Sequence, residues 1–315
     1  MSKVRWFVLV LALCVFCYAG YRLYTIYSGY RAADQEYSSL AQSFTKNLTT
    51  GESAAPAAVS VHQPAADTEA PKPESEPAES HMEFATEPLI VQTPKSSTPT
   101  GKGLIEDAKV PLAVDWKELR AANPDVVGWI YVEGIDGINY PILQGKDNEY
   151  YLKHSFQQQD LSSGSIFEDF HNSADFTDPN TIVYGHNMKN GSMFGKLKDL
   201  LDQAAYDAHP WFWILTPEGN YRYHIFSVFK TKANSDTYTL YERNGPEFLE
   251  WEEQMQEQSV VQNEVPLSES DKTVVLSTCT SDSEYRCVVI GKCVSSDRPV
   301  NHQAAGLTTV RDQGI

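Results

Sequence analysis

The chain divides into three stretches that differ in their pattern of apolar and polar residues. An uncharged apolar run, Trp6–Tyr21, comes first. A polar stretch rich in Ala, Pro, Glu, Ser and Thr follows, over about 50–103. From residue 104 onward, short apolar runs alternate with polar residues, glycine, proline and asparagine. The pattern therefore predicts an apolar helix, an unpacked spacer and a folded part, in that order.

The folded part is predicted to be mainly β, because its apolar runs are short, rich in Val, Ile and aromatic residues, and bounded by turn residues. The predicted strands are Val126–Val132, Ile138–Leu143, Ser165–Phe167, Thr181–Tyr184, Trp211–Leu215, Tyr221–Lys230, Tyr238–Leu240, Thr273–Cys279 and Arg286–Val294. Helical spacing and capping signals predict helices at Asp115–Ala122, Ser192–Ala204 and Glu247–Gln258. Many short strands joined by turns are typical of a closed β-barrel.

The N-terminal run has the features of a membrane segment. Two basic residues precede it, and Arg22 separates it from a second, largely apolar stretch, Leu23–Tyr30. A bilayer core needs about twenty residues, so the run is long enough if Arg22 extends its charged head to the interface. Tyrosines, which favour that interface, recur at every third position: Tyr18, Tyr21, Tyr24, Tyr27 and Tyr30. We expect residues 1–30 to be an uncleaved anchor; the alternative is a cleaved signal peptide, for which Cys17-Tyr18-Ala19 is a poor cleavage site.

The polar stretch is predicted to be a disordered linker over residues 31–103. Its composition, as in the string EAPKPESEPAES, buries too little apolar area to offset the entropy lost on ordering. We interpret it as a spacer without a binding role that carries the folded domain, residues 104–315, away from the membrane.

Charge and cysteine content narrow the possible functions. The formal net charge is −17, so the chain has no basic stripe to neutralise phosphates, and nucleic acid is not an expected partner. Of the five cysteines, Cys14 and Cys17 lie in the apolar run, which leaves an odd number elsewhere. A disulfide framework does not fit that number. No paired cysteines or histidines have the spacing of a metal site, so we expect no metal and no cofactor.

The segment TVVLSTCTSDSEYRCVVIGKCV carries the clearest chemistry. Cys279 ends one predicted strand, and Arg286 opens the next after a short polar loop. In a strand, alternate residues face opposite sides, so Cys279 shares a face with Val275 and Ser277, and Arg286 faces away from Cys287. The other face of the cysteine strand is apolar and is expected in the core, which leaves Cys279 on a less packed side. Cys287 is expected to be a core residue.

A second segment, TIVYGHNMKNGSMFGKL, places His186 just past another predicted strand. Gly185 gives the backbone freedom there, and Asn187 begins a polar turn. A cysteine, a histidine and an arginine at strand ends fit a nucleophile, a general base and an oxyanion or substrate clamp. The other histidines are expected to be surface or structural: His62, His81, His154, His171, His209, His224 and His302.

LSTC followed by an arginine, behind an upstream YGHN and an N-terminal apolar run, resembles the sortase family of Gram-positive cell-surface transpeptidases. The string YGHNMKNGSMFGKL is most similar to class B sortases, and the resemblance covers roughly residues 115–294. It implies a closed β-barrel with an N-terminal helix, a helix after the histidine loop and a helix before the cysteine strand. It also implies that Cys279, His186 and Arg286 are catalytic, with Ser277 and Thr278 supporting the oxyanion.

The implied reaction is transpeptidation. Cys279 would cleave a C-terminal sorting motif of a secreted protein through a thioester, and an amine of the cell wall or of a pilin would accept the acyl group. The implied location is the cell membrane, with a single span and the catalytic domain outside. Two alternatives remain open at this stage, a cysteine peptidase that hydrolyses its substrate and a non-enzymatic surface protein in which Cys279 is buried.

Overall fold

A closed barrel of eight strands organises the part of the chain described by the computed structural model, residues 3–48, 109–279 and 285–297. The strands are β1 (Thr45–Asn47), β2 (Leu112–Val114), β3 (Val126–Val132), β4 (Asn139–Leu143), β5 (Ile166–Glu168), β6 (Asn180–His186), β7 (Trp211–Thr216), β8 (Gly219–Lys232), β9 (Thr273–Cys279) and β10 (Tyr285–Asp297). The helices are α1 (Lys3–Phe44), α2 (Trp116–Ala122), α3 (Gln203–Ala208) and α4 (Pro246–Glu257), and 3₁₀ turns lie at Tyr150–Leu152, Leu197–Leu201 and Asp236–Tyr238.

The barrel closes in the order β10-β8-β7-β3-β4-β5-β6-β9. Strands β6 and β9 are parallel neighbours, and β10 runs antiparallel on the other side of β9. The predicted mainly β class and closed barrel are therefore confirmed. The cysteine strand lies between the histidine strand and the arginine strand.

Two predicted elements are wrong. Tyr238–Leu240 is not a strand: Asp236–Tyr238 forms a 3₁₀ turn, whose Asp236 carbonyl accepts a hydrogen bond from the Trp251 indole at 3.1 Å. The helix predicted at Ser192–Ala204 is broken into turns, a 3₁₀ turn and the short α3, which Asp202 caps. Met193 has φ 54°, which is incompatible with a right-handed helix, so the chain cannot begin a helix at Ser192.

Two apolar clusters bury opposite faces of the β6–β9–β10 region. Val274, Leu276 and Val289 belong to the cluster that fills the barrel. Val275 belongs to a second cluster outside it, beneath Phe248, Trp251 and Met255 of α4. The expectation of a less packed face on the cysteine strand is therefore wrong as far as Ser277, because α4 covers that side as well.

Helix α1 extends beyond the predicted anchor and packs on the barrel. It continues to Phe44, and its Ala33, Tyr37 and Leu40 are buried. Strand β1 follows directly and pairs with β2, with Asn47 opposite Leu112. The predicted start of the linker at residue 31 is therefore wrong, since 31–47 are helix and strand. The rest of the predicted linker, 49–103, and the tail beyond 297 lie outside the described residues.

The N-terminal part of α1 is long and apolar enough to cross a membrane. Its apolar side chains, Trp6, Phe7, Leu9 and Phe16 among them, are exposed. An exposed apolar helix surface of this length is compatible with a membrane-spanning segment.

Candidate active site

Three matched rows of residues cross β6, β9 and β10 on the face that α4 packs against. The pairings Ile182–Val275 and Val275–Ile290 form the first row, and Tyr184–Ser277 and Ser277–Val288 form the second. His186 pairs with Cys279 in the third row. Continuing the β9–β10 register by two residues brings Arg286 opposite Cys279. The structure therefore brings the three predicted catalytic positions to adjacent strand ends.

The spacing between these positions follows from the sheet. Neighbouring strands lie about 4.8 Å apart. The backbone of Cys279 is therefore one strand spacing from that of His186 on one side and from that of Arg286 on the other. The backbone of Cys279 ends β9. Its side chain and residues 280–284 lie outside the described part of the structure. The arrangement is compatible with a nucleophile flanked by a base and a cation.

His186 is the last residue of β6, so the strand extends two residues beyond its predicted end at Tyr184 and includes the histidine that was expected just past it. The expected role of Gly185 in backbone freedom is also wrong. A Cβ on Gly185 would lie 2.4 Å from Ile166 Cδ1 and 2.7 Å from a ring carbon of Phe194. Glycine is needed there because the barrel packs tightly against the backbone.

A backbone carbonyl fixes the imidazole of His186. Nε2 lies 2.8 Å from the Leu152 carbonyl oxygen. A carbonyl oxygen can only accept, so Nε2 carries the proton of this hydrogen bond. Nδ1 is then the nitrogen without a proton in the neutral ring, and it is available to accept a hydrogen bond. The Leu152 carbonyl orients the ring as a third member does in other nucleophile–base pairs.

Arg286 is half-buried in β10, where its register partner on β8 is Thr231. A guanidinium nitrogen of Arg286 lies 3.5 Å from the Tyr285 carbonyl oxygen. Its Cβ shares a strand face with those of Val288 and Ile290. That is the face on which the third row stands.

Ser277 and Thr278, the predicted oxyanion supports, are both buried. The Ser277 hydroxyl lies 2.8 Å from the Tyr238 hydroxyl. The Thr278 hydroxyl accepts the backbone N–H of Cys287 at 2.8 Å. Both hydroxyls therefore have partners within the fold, and both belong to the two residues of β9 that precede Cys279.

The remaining cysteines of the barrel differ from a reactive thiol. Cys287 is a buried free cysteine, as expected from its strand face, and burial raises its pKa to about 12. Burial likewise raises the pKa of Cys293 to about 11. Raising the pKa suppresses the thiolate, which is the nucleophilic form. Within residues 3–48, 109–279 and 285–297, no group of three His, Cys, Asp or Glu side chains is arranged to hold a metal ion.

Three other described histidines have local partners of their own. His154 stacks on Tyr150 with ring centres 4.0 Å apart, and His171 lies 2.9 Å from Asp169. His224 stacks on Trp211, and burial together with the nearby Arg222 and Lys292 lowers its pKa to about 4.

Comparison with known proteins agrees with this geometry. The family model described as Sortase domain matches residues 130–294. Sortase B of Listeria monocytogenes is 38% identical over 211 residues, which cover 65% of this chain and 81% of that protein. Sortase B of Staphylococcus aureus is 33% identical over 182 residues, which cover 57% and 74%. The solved Staphylococcus aureus sortase B–substrate complex has a TM-score of 0.54 at 33% identity and covers 56% of this chain and 83% of that one.

A barrel that sets a cysteine strand between a histidine strand and an arginine strand is the architecture of a cysteine transpeptidase. The chain belongs to the sortase family. Within that family its relatives are sortases of class B.

Proposed function

We propose that this sortase uses Cys279 as nucleophile, His186 as general acid and base, and Arg286 as the clamp for the oxyanion. The observation that carries the proposal is the third row, in which Cys279 pairs with His186 and, in the continued register, faces Arg286. The cation of Arg286 favours the thiolate of a neighbouring cysteine. Its planar group can hold a carbonyl oxygen through more than one donor.

The first half of the reaction forms a thioester. The Cys279 sulfur attacks the backbone carbonyl carbon of a sorting motif, and the negative charge that develops on the carbonyl oxygen lies against Arg286. The C–N bond then breaks, and the leaving amine takes from Nδ1 of His186 the proton that the Cys279 thiol gave to it when the thiolate formed. Ser277 and Thr278 support this step by holding the end of β9 through their buried hydroxyls.

The second half transfers the acyl group. An incoming amine attacks the thioester carbonyl, Nδ1 of His186 accepts its proton, and the C–S bond breaks to release Cys279. We assign the donor as a secreted protein with a C-terminal sorting motif and the acceptor as an amine of a peptidoglycan precursor or a pilin. A solved sortase B structure complexed with triglycine makes that peptide the amine to try first.

We further propose that α1 anchors the enzyme in the cell membrane with the barrel outside. The long exposed apolar surface of its N-terminal half supports a span. A secreted substrate and a wall or pilin acceptor require the third row to face the extracellular side.

The test is a transfer assay with a panel of candidate sorting-motif peptides and triglycine, followed by mass spectrometry. We expect an acyl-enzyme at Cys279 and a peptide–triglycine product. Cys279→Ala should lose both, whereas Cys287→Ala, a matched cysteine of the neighbouring strand, should keep both. A hydrolysed peptide without any amine product would instead favour a peptidase. The absence of thiol labelling at Cys279 would favour a non-enzymatic surface protein.

A further inference from the structure

Helix α1 contacts two segments that lie beside His186 in the structure. Its Glu36 accepts the backbone N–H of Gln157 at 3.1 Å. Its Asp34 accepts from the side-chain amide of Asn190 at 3.2 Å. Gln157 belongs to residues 150–165, which include the Leu152 carbonyl that holds the imidazole, and Asn190 belongs to the turn that follows His186. A helix outside the barrel therefore packs against the two supports of the candidate base.

Tyr37 makes the most deeply buried of these contacts. Its hydroxyl lies 2.7 Å from the Gly164 carbonyl oxygen and 2.9 Å from the Ser165 hydroxyl. The Ser165 hydroxyl in turn lies 2.9 Å from the His154 carbonyl oxygen. With the Tyr37 proton on the Gly164 carbonyl and the Ser165 proton on the His154 carbonyl, the removal of either hydroxyl leaves a carbonyl oxygen without its donor.

Gly164 connects this contact to the Leu152 carbonyl by close packing. Its φ is 52°, and a Cβ there would lie 2.4 Å from the Tyr151 carbonyl oxygen and 2.7 Å from that of Leu152. The neighbouring Ser165 N–H donates to the Tyr151 carbonyl at 2.9 Å. The two backbone segments, 164–165 and 151–152, are in direct contact with no side chain between them. The position of the first therefore determines the position of the second.

A second route joins Tyr37 to the turn after His186. The Tyr37 ring meets the Tyr140 ring edge-on, with centres 5.4 Å apart. The Tyr140 hydroxyl accepts the backbone N–H of Met193 at 3.0 Å. Met193 forms an isolated antiparallel β-bridge with Asn187, the residue next to His186.

We propose that Tyr37 is a positioning residue for His186, and that it acts through Gly164, Ser165 and the Leu152 carbonyl. This inference rests on the proposed role of His186 as acid and base. Its consequence is that the helix bearing the apolar N-terminal segment is also part of the catalytic apparatus. The hydroxyl of Tyr37 is the specific element, because the ring alone would provide packing but no hydrogen bond.

The test uses the full chain in detergent micelles with ¹⁵N-labelled histidine. The Nε2–H of His186, held by a carbonyl, should give a slowly exchanging downfield signal, assigned by its loss in His186→Gln. Tyr37→Phe should broaden that signal and lower kcat by about ten- to a hundredfold, with KM changed by less than about twofold. Ser165→Ala removes the other hydroxyl of this network, which contacts Tyr37 and donates to the His154 carbonyl, and should change the signal in the same direction.

Tyr30→Phe is the matched control, a hydroxyl removal on the same helix at a half-buried residue. It should leave the signal and kcat unchanged. An unchanged His186 signal in both Tyr37→Phe and Ser165→Ala would overturn the proposal, as would a kcat within twofold of wild type in Tyr37→Phe. The signal decides the link even if the wild-type chain proves inactive in transfer, so the two proposals fail separately.

Discussion

The backbone N–H of Cys287 donates to the hydroxyl of Thr278 at 2.8 Å, which fastens β10 to β9 one residue before the predicted nucleophile. The regular ladder between the two strands is continuous up to Val288 and Ser277. The threonine side chain thus extends the pairing toward the third row. A residue predicted to contact the reaction intermediate holds together the strands that carry Cys279 and Arg286.

Thiol labelling should separate Cys279 from its neighbours. Burial raises the pKa of both Cys287 and Cys293, so at pH 7.5 few of their thiols are ionised. In a chain with Cys14→Ser and Cys17→Ser, a thiol-specific reagent at low excess should modify a single cysteine, located at Cys279 by peptide mapping. Comparable labelling of Cys287 in the folded protein would contradict this assignment.

Replacement of Arg286 should show whether its shape or its charge matters. Arg286→Lys keeps the charge but loses the planar multi-donor group, so kcat/KM should fall nearly as far as in Arg286→Ala. The loss of such a donor set corresponds to about 3–4 kcal/mol, or a hundredfold or more in rate. Lys230→Ala, on the adjacent β8, controls for a general loss of positive charge. A nearly fully active Arg286→Lys would move the oxyanion role to backbone N–H groups.

Gly185→Ala should damage both stability and activity. The added methyl group would overlap Ile166 and Phe194, and overpacking of this kind destabilises a core by about 1–3 kcal/mol. Because His186 is the next residue, the displaced strand end should also lower kcat. Thermal unfolding and the transfer assay measure the two effects.

The partner substitution tests the cause. Ile166→Val removes the carbon atom that would lie 2.4 Å from the new methyl group, so adding it to Gly185→Ala should restore part of the lost stability. Gly20→Ala, where no atom lies within 4 Å, should be close to neutral. A double variant no more stable than Gly185→Ala would argue against the steric explanation.

The pH dependence of stability should reveal Glu252. Its carboxylate oxygens are buried without a hydrogen bond in the described structure, and burial, with the charge of Asp271 adding to it, raises its pKa to about 8. Between pH 4.5 and 8 the unfolded chain releases this proton while the folded chain retains it, so stability falls as pH rises through that window. Glu252→Gln should therefore gain stability over wild type as pH rises from 4.5 to 8, with little difference below. Glu253→Gln, a substitution at the exposed neighbouring residue, should show no such trend. If the stability of Glu252→Gln changed with pH in parallel with that of wild type, the assignment would be refuted.

Much of the fold could be predicted from the sequence because its signals are local. The short Val-rich run in TVVLSTC predicts a strand, and the end of that run places the predicted nucleophile, Cys279, at the strand end. The next apolar run likewise predicts a strand, with Arg286 at its start. The family motif linked these positions to His186, 93 residues away, which no local pattern could have done.

The parts that were missed depend on tertiary contacts. The Leu152 carbonyl orients His186 as a backbone atom, so no residue type reports it. Tyr238–Leu240 has the composition of a strand, and propensity does not report the hydrogen bond by which Trp251 holds the turn at Asp236–Tyr238. Tyr37 lies in a polar-looking stretch, and its burial becomes apparent only when the helix is seen against the barrel.

The pairing of β1 with β2 determines how the chain leaves and re-enters the barrel domain. Asn47 and Leu112 are opposite one another, and the Leu48 N–H donates to the Pro111 carbonyl at 2.9 Å, so the residues before and after the segment 49–108 are held side by side. Because α1 itself packs on the barrel through Tyr37 and Leu40, the length of that segment does not set the distance between the apolar helix and the catalytic domain. In the proposed membrane setting, α1 itself sets the distance between the membrane and the barrel: Ala33 lies twelve positions after Tyr21, which amounts to about 18 Å of helix. Lengthening or deleting part of 49–108 should leave the active site at the same height above the bilayer. Substrates must then come to a site held close to the membrane surface.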